Sequence, residues 1–117
     1  METSTRAFYA AQCALEKKAG QPVILDMRPV CNFCDYFVIC QGNSSPQVRA
    51  IAEAVEEGLR RQKVRPQRRE GVREGLWIVL DYGSIIVHVF EPETRAFYGL
   101  ERLWADAPRL PIPEMHL

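Results

Sequence analysis

Trp77-Ile78-Val79-Leu80-Asp81-Tyr82-Gly83-Ser84-Ile85-Ile86-Val87-His88-Val89-Phe90 is the stretch whose reading decides the fold. Its β-branched and aromatic residues read as two strands, Leu76–Asp81 and Ser84–Phe90. Tyr82-Gly83 reads as a tight hairpin turn between them. With the turn placed there, Leu80 is expected to face Ile85, Ile78 to face Val87, and Leu76 to face Val89. That face is wholly aliphatic and is expected in the core. On the other face Asp81 would oppose Ser84, Val79 would oppose Ile86, and Trp77 would oppose His88, with Phe90 beyond. Such a mixture of aromatic, aliphatic and polar groups suits a surface that meets water when free and a partner when bound. A tryptophan there is core if a helix covers it and an interface anchor if none does.

Working outward, the upstream segment Gly42-Asn43-Ser44-Ser45-Pro46 is the clearest punctuation in the chain. Ser45 is expected to cap a helix that runs to about Gln62, with Pro46 in its first turn. Val48, Ile51, Ala52, Val55 and Leu59 then fall on one helical face. Glu56–Arg60 and Glu57–Arg61 are favourable i,i+4 pairs. Before that segment, Asp35–Gln41 and Val23–Met27 read as buried strands. Ser4–Ala19 reads as a helix ended by Gly20. Downstream of it, a short strand is expected near Gln67–Glu70. After Pro92 a last helical stretch carries Phe97, Tyr98, Leu100, Leu103 and Trp104. Pro108, Pro111 and Pro113 then predict a loosely ordered tail. The expectation is one α/β (α+β) domain over residues 1–107, a roughly five-stranded mixed sheet flanked by helices, with a proline-rich tail at 108–117.

The chain has 117 residues, 47% hydrophobic, enough for a core without disulfides or metal. No apolar run approaches the ~20 residues that span a bilayer, so no membrane contact is expected. Met1–Arg6 lacks the features of a signal peptide, and no transit peptide is read, so a cytoplasmic protein is expected. Fifteen Lys+Arg balance fifteen Asp+Glu. The balance is uneven along the chain: Arg60, Arg61, Lys63, Arg65, Arg68, Arg69 and Arg73 cluster around the single acid Glu70. Such a dipolar surface can orient a partner. A solvated basic helix end explains the same cluster.

Catalytic chemistry is poorly supplied. Gly42–Ser45 could cradle a phosphate on backbone N–H groups, but no G-K-[ST] follows. Metal-dependent nucleotidyl transfer needs paired carboxylates on a strand, and Glu91-Pro92-Glu93 has only their spacing, at a proline-marked strand end. Ser84 and His88 stand about 13 Å apart along one strand, too far to form a triad with Asp81. Cys31 and Cys34 have C-x-x-C spacing, yet a zinc site needs two more ligands, and His88 and His116 are isolated. The pair precedes a strand rather than a helix, so reduced thiols without a function are expected. No catalytic residue, metal or cofactor is assigned.

Several motifs in order resemble the ribosomal silencing factors, the RsfS/Iojap group. They are Asp35-Tyr36-Phe37-Val38-Ile39, the Gly42-x-Ser44-Ser45-x-Gln47-Val48-x-Ala50-Ile51-Ala52 segment, Glu70-Gly71, Trp77–Gly83, Val87–Phe90 and Tyr98-x-Leu100-Glu101-x-Leu103-Trp104. The resemblance covers about residues 4–107. It implies a relative of the nucleotidyltransferase fold without its catalytic carboxylates. It also implies binding to protein fourteen of the large ribosomal subunit, which blocks joining of the small subunit and represses translation. Organelle relatives act in large-subunit assembly. Partner-binding residues are then expected at Trp77, Val79, Asp81, Tyr82, Ser84, His88, Tyr98 and Leu100, with Trp77 as apolar anchor and Asp81 and His88 giving polar register. Arg65, Arg68 and Arg69 are candidates for a ribosomal RNA contact. The chain departs from the family at Ser84, where an acid is common, and at Cys31/Cys34, where small or hydroxyl residues are usual. The competing classes are a nucleotide-handling enzyme and a homodimerising module that uses strand edges and the aromatic C-terminal stretch.

Overall fold

The central strand is the most apolar one. Tyr36–Gln41 (β2) is buried from Tyr36 through Cys40, because it has a neighbour on each edge and layers on both faces. The computed structural model describes residues 2–112, so Pro113 and His116 lie outside the described residues. The elements in order are α1 (Thr3–Glu16), β1 (Gly20–Asp26), β2, α2 (Ser45–Arg61), β3 (Arg68–Glu70), β4 (Trp77–Asp81), β5 (Ile85–Phe90), α3 (Pro92–Tyr98), α4 (Leu100–Leu103) and β6 (Arg109–Leu110). They form one mixed sheet in the order β3-β4-β5-β2-β1-β6. β2 and β5 pair in parallel, and every other pair is antiparallel.

The sheet has six strands rather than five. The sixth comes from the proline-rich segment: Arg109 pairs with Leu25 and Leu110 with Ile24, and the Pro108 carbonyl accepts from Asp26 N–H at 2.7 Å. This part of the segment is therefore ordered on the sheet edge. α1 also stops early. Lys18 takes φ +63, Ala19 N–H returns to the Ala14 carbonyl at 3.1 Å, and Gly20 opens β1 instead of ending the helix.

α1 and α2 cover one side of the sheet. α1 lies close because Ala7, Ala10, Ala11 and Ala14 are all fully buried. α2 brings the predicted stripe Val48, Ile51, Ala52, Val55 and Leu59 onto Ile78, Leu80, Ile85, Val87 and Val89. Burial of each large aliphatic contributes about 1.5–3 kcal/mol. The α2 cap is Ser44, not Ser45: its Oγ accepts from Gln47 N–H at 3.3 Å, and Pro46 sits within the first turn. On α2, Arg60 pairs with Glu57, while Glu56 pairs across to Arg69 of β3 at 2.8 Å, so neither expected i,i+4 pair forms.

The hairpin keeps its two faces but shifts its register by two residues. Trp77 pairs with Phe90, Ile78 with Val89, Val79 with His88, Leu80 with Val87 and Asp81 with Ile86. Tyr82 N–H donates to Ile85 at 2.9 Å, which moves the turn to Gly83-Ser84. Gly83 takes φ +82, and Ser84 N–H closes back on the Tyr82 carbonyl at 3.0 Å. A shift of two preserves side-chain parity, so the aliphatic face still enters the core. Leu76 does not follow it: it precedes β4 and is 48% exposed.

Candidate docking face

The side of the sheet away from α1 and α2 is only partly roofed. Over β1, β2 and the end of β5, Leu25, Met27, Phe37, Ile39 and Phe90 gather with Leu100 and Ala107, and Trp104 packs on them. The final helical stretch makes this roof in two pieces, because Gly99 at φ +56 breaks it between Tyr98 and Leu100. Over β4 the roof stops. Trp77, Val79, Asp81 and Ile86 are only partly buried. A groove of about 260 Å³ runs there between Phe33 and Phe37 on one side and Arg68, Glu70, Val79 and Asp81 on the other, with Ile86 and His88 lining it.

Trp77 stacks on Phe90 at 5.0 Å and 25°, and Tyr98 covers its other side at 4.7 Å. Its Nε1–H donates to His88 Nδ1 at 3.1 Å. Asp81 is engaged at the turn, where Oδ1 accepts from Gly83 N–H at 2.8 Å and Oδ2 faces Arg68 at 3.6 Å. Ser84 lies half-buried in the turn itself. Tyr98 is 51% exposed.

Three expected site residues are buried in the free chain. His88 is 5% exposed, at the floor of the groove and packed against Phe37 at 4.6 Å. Burial pushes its imidazole down to about 3, which keeps the ring neutral. Tyr82 is buried among the helix-side core residues, on the opposite side from Trp77. Burial pushes its phenol up. Leu100 is buried in the roof.

Other residues of the face escaped sequence reasoning. Phe33 is 55% exposed and stands edge-on to Trp104 at 6.2 Å. The spacing of the thiols drew the reading of that segment, although its aromatic residue is what reaches the surface. Phe97 is 78% exposed and Leu103 70%. Phe97, Leu76 and Tyr98 line a shallow depression rimmed by Glu91 and Glu93.

The basic cluster is paired in part with acids outside it: Arg68 meets Asp81 and Arg69 meets Glu56, while Arg65 is exposed. At Gly42–Ser45 two of the backbone donors that would cradle a phosphate are engaged. Gly42 N–H reaches the Phe90 carbonyl at 2.9 Å, and Asn43 N–H reaches Gln47 Oε1 at 2.7 Å. The four cysteines are free thiols. Cys31 S–H donates to the Cys34 carbonyl at 3.6 Å, and burial, reinforced by Cys31, pushes the Cys34 thiol up to about 12. A redox motif needs the opposite shift. No helix among the described residues is long and apolar enough to cross a membrane.

The family described as "Ribosomal silencing factor during starvation" matches residues 1–116. A ribosomal silencing factor of Halalkalibacterium halodurans is 41% identical over 97 residues, covering 83% of each chain. That of Bacillus subtilis is 39% identical over 99 residues, covering 85% of this chain and 84% of the relative. The chloroplastic Iojap protein of Arabidopsis thaliana is 30% identical over 112 residues, 96% of this chain and 47% of that protein. A crystal structure of a Chromobacterium violaceum protein superposes with a TM-score of 0.88 at 26% identity, covering 100% of this chain and 94% of the other. One from Bacillus halodurans gives 0.79 at 38% identity, covering 89% and 94%. Likeness that runs through the sheet, the helices and nearly every residue has one explanation: the chain belongs to the ribosomal silencing factor family.

Proposed function

We propose that this chain represses translation by docking on the large ribosomal subunit, through its protein fourteen, and blocking the small subunit from joining. The docked face is the unroofed part of the sheet around Trp77, Val79 and Ile86, extended by Tyr98 and Phe33. The observation that carries this reading is the indole of Trp77, only partly buried and packed on Phe90 and Tyr98 at the edge of the roof. Large aromatic groups fixed at the centre of a surface supply much of the energy of protein interfaces. Asp81 and Arg68 give the rim a charged pair. The chain would act in the cytoplasm, as a steric block and without chemistry of its own.

Trp77→Ala tests the anchor. A correctly folded variant is expected to lose about 2 kcal/mol of affinity for isolated large subunits, roughly thirtyfold. Unchanged affinity would remove Trp77 from the interface. The enzyme reading makes a different forecast: calorimetry with a nucleoside triphosphate and Mg²⁺ should show saturable micromolar binding, lost on altering Ser44 or Ser45. The engaged donors at Gly42 and Asn43 favour no such heat.

A further inference from the structure

The unroofed face holds one polar side chain that packing does not call for. His88 lies among Phe37, Trp77 and Phe90, with ring centroids at 4.6, 6.0 and 6.2 Å. Its Nδ1 accepts the indole proton, so in the neutral ring the imidazole proton sits on Nε2. Nε2 is buried and has no hydrogen-bond partner among the described residues. A buried donor without an acceptor destabilises a fold. A hydrocarbon ring at this position would remove that orphan but leave the Trp77 N–H without its acceptor. The one group that needs an imidazole here is the Trp77 N–H. Stacking on Phe90 and contact with Tyr98 confine the indole between two rings, but such contacts are broad in angle. The hydrogen bond to His88 is its directional restraint.

We infer that His88 is a positioning residue: through Nδ1 it fixes the Trp77 indole in the orientation that docks, at the expense of an unpartnered Nε2–H. The inference rests on the docking reading above and adds that the anchor is pre-oriented in the free protein.

The test uses the full chain. The Trp77 indole resonance is assigned by its loss in Trp77→Phe. His88→Leu and His88→Phe both remove the acceptor. In each, the indole N–H resonance should move toward the position of a solvated indole and exchange faster with water. Affinity for large subunits should fall about three- to tenfold. His88→Asn places an amide oxygen near the site of Nδ1 and should restore both the resonance and the affinity. In a Trp77→Phe background, His88→Leu should have no further effect on affinity. An unmoved indole resonance, or wild-type affinity in both acceptor-less variants, overturns the inference. Should the unaltered chain fail to bind large subunits, the docking reading falls, and the indole resonance still decides whether His88 orients Trp77.

Discussion

Protons compete with folding at His88. The unfolded chain takes up a proton on this side chain near pH 6.5, while the folded chain resists it down to about 3. The folded pKa is depressed, so the unfolded state binds more protons between these values. Stability from this group is full above about pH 6.5 and is lost as pH falls toward 3. Between pH 7 and 5 the loss should be about 2 kcal/mol. Urea denaturation at several pH values should therefore show the wild type losing that much more than His88→Asn. Parallel curves would mean the imidazole is not excluded from protons. Arg68, Glu70 and Asp81 line the same groove, and keeping them unchanged in both proteins isolates the histidine. The burial of His88 was not legible in the sequence. It depends on Phe37, which lies far away in the chain and reaches the ring only through the parallel pairing of β2 and β5. Trp77 was placed on the correct face, since alternation along a strand is local.

Among the elements, the helix cap separates two adjacent serines. Ser44→Ala removes the Oγ that accepts from Gln47 N–H and should cost about 1 kcal/mol of unfolding free energy. Ser45→Ala, inside the first turn, should stay within about 0.5 kcal/mol. Equal losses would reassign the cap. The sequence marked this helix start to within one residue, because proline and serine act on their immediate neighbours. The hairpin register was less accessible. Both placements of the turn put a glycine at its bend, and pairing of Tyr82 with Ile85 decides between them. The choice leaves the faces intact and changes every cross-strand partner, which is how Trp77 comes to lie diagonal to His88 rather than opposite it. β6 was hidden for another reason: two residues between prolines carry no strand pattern, and only the open edge of β1 gives them a place.

For the whole molecule, partial roofing is the decisive property. α1 and α2 close one side of the sheet, while α3 and α4 close the other only as far as Trp104 and Tyr98. The outer strands are poor sites for self-association. β3 has three residues, all exposed and charged, and β6 has two. The RNA contact proposed for Arg65, Arg68 and Arg69 is tested by the salt dependence of subunit binding. Neutralising Arg65 should lower the slope by about 1. Arg68 and Arg69 must first leave Asp81 and Glu56, so neutralising them should lower it less. An unaltered slope in the Arg65 variant would exclude that residue from phosphate contact. The most direct measurement is subunit joining itself. Purified large subunits are saturated with this protein, small subunits are added, and the products are separated on a sucrose gradient. The steric account predicts that the joined ribosome peak falls in proportion to the protein bound, and that Trp77→Ala restores it. Full joining with the protein still seated on the large subunit would contradict it.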